Sequence, residues 1–154
     1  QSGNKTILVD CDLRRPSQHD IWGISNERGL STMLIEDTAM STPPLVSTEV
    51  DNLQILPTGI LPPNPADVLS SQRMAALIGV LKARANYILF DAPPVLAATD
   101  APLLASKLDA TLLVVRARRD HTARARQALE RIHVRIVGAV LSDAPKESTG
   151  SYYG

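Results

Sequence analysis

The residues whose types and spacing suit phosphoryl chemistry gather near the N-terminus. Asp10 and Asp12 flank Cys11 in the stretch ILVDCDLRRP, with Arg14 and Arg15 behind them. On a strand, side chains two residues apart point to the same side. Two carboxylates so placed repel each other unless a cation or a hydrogen-bond network compensates. Hard carboxylate oxygens suit Mg2+, which keeps several waters and takes one or two carboxylates together with phosphate oxygens. One aspartate could serve the ion's water shell while the other accepts a proton from a hydroxyl. The alternative is a strand-end turn in which both cap backbone N–H groups or pair with Arg14 and Arg15.

Asp91 closes a second apolar stretch, YILFD, and is followed by Ala92-Pro93-Pro94, which fix the exit of the chain. An aspartate after an apolar strand is the Walker B arrangement, in which it helps to hold the metal; the alternative is an ordinary strand-end aspartate, which is common. Gly3-Asn4-Lys5-Thr6 has the look of a phosphate-binding Lys-Thr pair, but the order is wrong. A P-loop runs strand, glycine-rich turn, helix, whereas a strand follows Lys5-Thr6 and one glycine precedes it. An exposed turn is the expectation there. The arginine-dense stretch 115–126 reads as a solvated surface or a contact for phosphate, acidic lipid or protein. It interleaves no aromatics, so base stacking and nucleic-acid binding are not expected. His121 and His133 have no partner at metal-ligand spacing. Tyr152 and Tyr153 sit together in a polar tail, where they are either incidental or phosphoacceptors.

The elements that must position these residues follow from periodicity. Residues 6–10 and 87–91 read as strands buried on both faces, and 110–115 and 134–141 as two more. Residues 45–50 and 53–56 could pair across Asp51-Asn52. A short polar helix is expected after Pro16, and a short one over 31–35 capped by a hydroxyl. The proline-rich stretch 59–69 runs into a helix. Over 71–85, Met74, Leu77, Ile78 and Leu81 form one apolar stripe. Residues 101–108 and 122–132 complete the helices, the latter with Ala125, Leu129 and Ile132 inward. Strands alternating with helices predict an α/β fold, a mostly parallel sheet with helices on both faces. Ligands in such folds bind at the carboxyl ends of the strands, where Asp10 and Asp91 lie.

Bulk properties set the frame. The chain has 154 residues, about one domain, with 44% hydrophobic and 21% charged residues and zero net charge. The single Cys11 excludes an internal disulfide. No apolar run approaches the ~18 residues a membrane span needs, and no signal pattern opens the chain. Gln1 in place of an initiator methionine leads us to expect a piece of a longer protein.

Together the motifs resemble the cytoplasmic kinase domain of the bacterial tyrosine kinases of capsule and exopolysaccharide systems. ILVDCDLRRP is similar to that family's Walker A′ motif, an apolar triplet followed by Asp-x-Asp-x-Arg, and ILFDAPPV to its Walker B motif. WGISNERGLSTML and LPTGILPPNPADVLSS resemble the family segments between them, and a C-terminal tyrosine cluster is a family trait. The likeness spans essentially the whole chain.

The resemblance implies a P-loop NTPase-like fold of the deviant Walker type and an ATP- and Mg2+-dependent protein-tyrosine autokinase that regulates polysaccharide polymerisation and export. It casts Asp10, Asp12 and Asp91 as catalytic, Asp10, Asp12 and Arg14 as nucleotide-binding, and Asp12 and Asp91 as serving the metal. Tyr152 and Tyr153 become autophosphorylation sites reached in trans within a homo-oligomer. A membrane-spanning activator or polysaccharide co-polymerase is the implied partner, with tyrosine-containing proteins as substrates and the inner face of the cell membrane as the location. The domain would run over 1–142 and the flexible tail over 143–154. Two departures stand out. The family's glycine-rich Walker A loop is absent from these residues, so the chain is expected to be N-terminally truncated and inactive alone. Ser142-Asp143 follows the last strand where the family usually has asparagine near the adenine. Competing readings are a positioning ATPase of the ParA/MinD type, which needs no tail tyrosines, and a catalytically silent export regulator.

Overall fold

The computed structural model describes residues 3–96, 100–116, 127, 130 and 134–143. In chain order the elements are β1 (Thr6–Asp10), α1 (Gln18–Trp22), α2 (Leu30–Ile35), α3 (Asp37–Ser41), β2 (Val46–Ser47), β3 (Leu53–Leu56), α4 (Pro65–Ser70), α5 (Gln72–Lys82), β4 (Tyr87–Asp91), α6 (Asp100–Ala105), β5 (Thr111–Arg116) and β6 (Ile136–Ser142). The described strands form two sheets, one ordered β2-β3-β1-β4 and one pairing β5 with β6. Every pairing is parallel except β2 with β3. The α/β, mostly parallel architecture expected from the alternation of strands and helices is present.

The apolar runs 6–10 and 87–91 form β1 and β4 with the expected bounds. The β2–β3 pair turns at Asp51-Asn52, with Asn52 in the left-handed region at φ 63°, which asparagine tolerates. The stripe read over 71–85 becomes the buried face of α5, where Met74, Leu77, Ile78 and Leu81 are all buried. Ser71 caps this helix by accepting the Met74 N–H at 3.1 Å.

Alternation along the strands sorts the sheet into two faces. Ile7 and Val9 of β1 join Leu56, Met33, Leu77, Leu81 and Leu104 in one buried cluster fed by α2–α6. On the other face, Ile55 is buried, while Tyr87 and Leu89 of β4 are exposed. Asp10 and Asp91 share the parity of Leu8 and Leu89, so both aspartates project to this second face.

The helix over 31–35 starts one residue earlier than expected and is not capped in the expected way. Its N-cap is Gly29, and the hydroxyl contribution comes from inside the helix, where Thr32 Oγ1 accepts the Gly29 N–H at 3.0 Å. The reason is steric. Leu30 N donates to Pro57 O at 2.8 Å and Ser31 N to Thr58 O at 2.9 Å. A Cβ at position 29 would overlap the Pro57 carbonyl. Gly59, at φ 79°, closes the same contact, and its N–H donates to Asn26 Oδ1 at 2.8 Å. The helix expected over 122–132 falls almost entirely outside the described residues, as do His121, His133, Tyr152 and Tyr153. Among the described residues no helix is long and apolar enough to cross a membrane.

Candidate active site

Parallel pairing of β1 with β4 sets Asp10 opposite Asp91 in register, at the carboxyl ends of both strands. The chain leaves β1 by donating Cys11 N to Asp91 O at 2.8 Å, which ties the two strand ends together. The carboxyl ends of the strands are where open α/β sheets place their ligands.

Asp10 is fully buried, and its carboxylate organises the loop that follows it. Oδ1 accepts the Asp12 N–H at 3.2 Å. Oδ2 accepts the N–H groups of Ser17 and Gln18, at 3.0 and 2.9 Å. Those two donors open α1, so Asp10 caps a helix seven residues downstream with a negative charge where the helix dipole favours one. Thr58 Oγ1 donates to the Asp10 carbonyl at 3.2 Å from the end of β3. Burial raises the Asp10 pKa above the usual carboxylate range, and the nearby charge of Asp91 adds to the rise. The three backbone N–H donors act in the opposite sense.

Asp12 lies beyond the last residue of β1, so the two-residue alternation that holds along a strand does not carry over to it. Its Oδ1 accepts the N–H groups of Arg14 and Arg15, at 3.1 and 2.9 Å, which folds DLRR into a tight turn. The backbone-capping arrangement weighed from the sequence is therefore present at both aspartates. Between them, Cys11 is fully buried, and burial together with the charges of Asp10 and Asp91 pushes its thiol pKa up. A thiol held protonated is no nucleophile.

Asp91 is half-buried and receives one side-chain donor. Gln18 Nε2 approaches its Oδ2 at 2.7 Å, and Gln18 Oε1 accepts the Trp22 indole N–H at 3.2 Å. Neither Gln18 nor Trp22 stands out in the sequence, because a glutamine on a short polar helix reads as solvent-facing. Their i, i+4 spacing on the helix that follows the aspartates was the one available signal.

Lys5 is exposed and its backbone N–H donates to Asn86 Oδ1 at 2.9 Å. It sits at the amino end of β1, the opposite end from the aspartates, as the turn expected there requires. Two surface hollows, of about 260 and 570 Å3, are lined by residues other than Asp10, Asp12 and Asp91. The larger one borders Lys5, Thr6 and Asn52, again at the amino ends of the strands. Among the described residues no cluster of three or more His, Cys, Asp or Glu side chains could hold a metal. That donor set still fits Mg2+, which needs only one or two carboxylates when phosphate oxygens complete its shell.

No protein-family model matches the chain. Among curated proteins it is 33% identical over 156 residues to the putative tyrosine-protein kinase CapB of Staphylococcus aureus, across 99% of this chain and 68% of that one. It is 34% identical over 159 residues to the tyrosine-protein kinase YwqD of Bacillus subtilis (strain 168), across 100% of this chain and 67% of that one. The tyrosine-protein kinase Wzc of Salmonella typhi is 31% identical, and the chain spans 21% of its length. Among solved structures, the chimerical protein CapA2B2 superposes with a TM-score of 0.87 at 32% identity, across 95% of this chain and 66% of that one. The kinase domain of Escherichia coli ETK gives 0.85 at 30% identity, across 100% and 62%. The septum site-determining protein MinD of Pyrococcus horikoshii, at 0.66 and 21% identity, shares the fold.

Proposed function

The chain belongs to the bacterial tyrosine-protein kinases of capsule and exopolysaccharide systems, and from that membership we propose that it carries the carboxylate side of a site that transfers the γ-phosphoryl group of ATP to a tyrosine hydroxyl. The observation that carries this reading is the in-register pair of Asp10 and Asp91 at the ends of adjacent parallel strands. The site residues divide by exposure. Asp12 and Asp91, both partly exposed, face the reactants and serve the metal. Asp10 holds the loop that presents Asp12 and the start of α1. Arg14, next to Asp12 on the turn, would serve the nucleotide.

The chemistry asks little covalent work of the protein. The tyrosine oxygen bonds to the γ-phosphorus, the bond from that phosphorus to the β,γ-bridging oxygen breaks, and ADP leaves. The hydroxyl proton passes to a carboxylate of the cluster. Bound Mg2+ would neutralise charge on the phosphates.

A phosphate cradle made of backbone N–H groups is the other half of such a site. We place it on a segment outside these 154 residues, and hold that the chain alone does not turn over ATP. Among the described residues β4 is unpaired on one edge and β5 and β6 form a separate pair, which supports this, since one more parallel strand between β4 and β5 would unite the two sheets. Tyr152 and Tyr153 are proposed as the phosphoacceptors, reached in trans in a homo-oligomer. The proposed partner is a membrane-spanning activator of polysaccharide export, which would bring the domain to the inner face of the cell membrane. The positioning ATPases share the fold at 21% identity, while the relatives above 30% identity are named as kinases.

The deciding experiment compares the 154-residue chain with a version extended upstream through a glycine-rich Lys-Ser/Thr loop. Mg2+-dependent ATP turnover and phosphotyrosine at Tyr152 and Tyr153 are expected from the extended chain alone, and its Asp91→Asn variant is expected to lose both. Equal turnover by the two lengths would remove the incomplete-site reading. Undiminished phosphotyrosine after Asp91→Asn would remove the site assignment.

A further inference from the structure

We propose that Gln18 is a positioning residue for Asp91 and that Trp22 locks it in place. This extends the kinase reading above and rests on it for its functional consequence, though not for its structural one. Gln18 hydrogen-bonds the carboxylates of both strand-end aspartates. Its backbone N–H donates to Asp10 Oδ2 at 2.9 Å, and its side-chain amide donates to Asp91 Oδ2 at 2.7 Å. The orientation of the amide is fixed by its neighbours. An ionised carboxylate only accepts hydrogen bonds and an indole N–H only donates, so Nε2 must face Asp91 and Oε1 must face Trp22, as the 2.7 and 3.2 Å contacts have it.

The consequence lies in which Asp91 oxygen remains available. Gln18 occupies Oδ2 with a short, charge-assisted bond, and no hydrogen bond reaches Oδ1 among the described residues. One oxygen is thus spent on orientation, which leaves the other available to a ligand. Trp22 sits one helical turn after Gln18 on α1, and Gly23, left-handed at φ 61°, ends that helix. The indole N–H therefore removes the freedom of the Gln18 amide to flip. A glutamate at position 18 would keep an acceptor for Trp22 but set a further negative charge against Asp91. Groups that orient a metal-serving carboxylate typically cost about 10- to 100-fold in metal affinity or activity when removed.

Trp22 is the one tryptophan of the chain, so its indole N–H gives a single isolated NMR signal. In the wild-type chain, Asp91→Asn is expected to shift that signal. In a Gln18→Leu background the same substitution is expected to leave it in place. In the upstream-extended chain, Gln18→Leu is expected to raise the Mg2+ concentration for half-maximal tail phosphorylation by about tenfold or more, with the KM for ATP changed by less than about twofold. Gln18→Glu is expected to lose more than Gln18→Leu at neutral pH, because it sets a second carboxylate where the amide donated to Asp91. A Trp22 signal indifferent to Asp91→Asn in the presence of Gln18 would overturn the relay, as would an unchanged Mg2+ requirement in a folded Gln18→Leu variant. Should the extended wild-type chain make no phosphotyrosine, the kinase reading falls, and the Trp22 signal still decides the role of Gln18.

Discussion

Asp10 and Asp91 stand opposite each other on neighbouring parallel strands, and their carboxylates are held in contrasting ways. Asp10 is fully buried and takes three backbone N–H bonds shared between its two oxygens. Asp91 is half-buried and takes one bond, from the Gln18 amide. A carboxylate surrounded by backbone donors is built to hold a loop. One with an oxygen that no described residue binds has room for a ligand, as the proposed site requires. The two substitutions should therefore separate stability from activity.

For stability, Asp10→Ala orphans the donors of Asp12, Ser17 and Gln18 at a buried position and is expected to cost about 2–4 kcal/mol. Asp91→Ala removes one partly exposed bond and is expected to cost about 1 kcal/mol or less. Urea unfolding of both variants at pH 7 checks the difference, and equal losses would show that Asp10 does not organise the loop.

Acid should act on Asp10 in an unusual direction. Its folded pKa is raised above the ordinary 3.8, with burial as the main cause and the charge of Asp91 assisting. The native state then holds the proton more tightly than the unfolded chain, so this group's contribution is fully present below pH 3.8 and is lost as the pH rises through the folded pKa. The stability of wild type relative to Asp10→Asn is expected to increase as the pH is lowered from 7 toward 4. Thermal unfolding of the pair across that range measures it, and a gap that shrinks on acidification would mean that the backbone donors outweigh burial.

Much of this arrangement was legible in the sequence, and what was not has definite physical causes. β1, β4 and the α5 stripe were readable because buried parallel strands are short, β-branched and apolar, and because one helix face repeats at i, i+3, i+4 and i+7. The strand-end position of Asp10 and Asp91 followed directly. The strand argument did not extend to Asp12, because Asp10 bonds the Asp12 N–H and the chain turns there instead of continuing β1. Gln18 was invisible because its partner is 73 residues away, and pattern reading reports on neighbours. The contact between the starts of α2 and of the loop after β3 was hidden for the same reason.

That contact makes its own prediction. Gly29→Ala places a methyl group into the Pro57 carbonyl, against backbone that cannot rotate aside. Gly59→Ala adds a left-handed φ and a 2.5 Å approach to Ser31 Oγ. Each is expected to cost at least about 2–3 kcal/mol, whereas Gly79→Ala, with open space around its Cβ position in the middle of α5, is expected to be neutral or stabilising. Chemical unfolding of the three variants tests this, and a tolerated Gly29→Ala would mean that the 57–59 segment is held less tightly than its hydrogen bonds indicate.

The last expectation concerns the faces that the chain leaves bare. Tyr87 and Leu89 on β4 are 58% and 56% exposed, and Leu112, Val114 and Val137 on β5 and β6 are exposed as well. Parallel strands of α/β proteins are ordinarily covered on both faces, and an unpaired apolar edge templates association. Taken alone, the 154-residue chain is expected to bind a hydrophobic dye and to self-associate at tens of micromolar, an order-of-magnitude range for exposed apolar surfaces. Leu89→Lys combined with Val114→Lys should reduce both effects, because each places a charge on a bare face without touching the buried cluster around Ile7 and Val9. In the upstream-extended chain the same pair of substitutions should instead destabilise if, as proposed, the added segment joins the sheet and its helix covers those faces. Sedimentation and dye fluorescence on the two lengths distinguish the cases. A monomeric, dye-silent 154-residue chain would show that β4 and β5 do not await another strand.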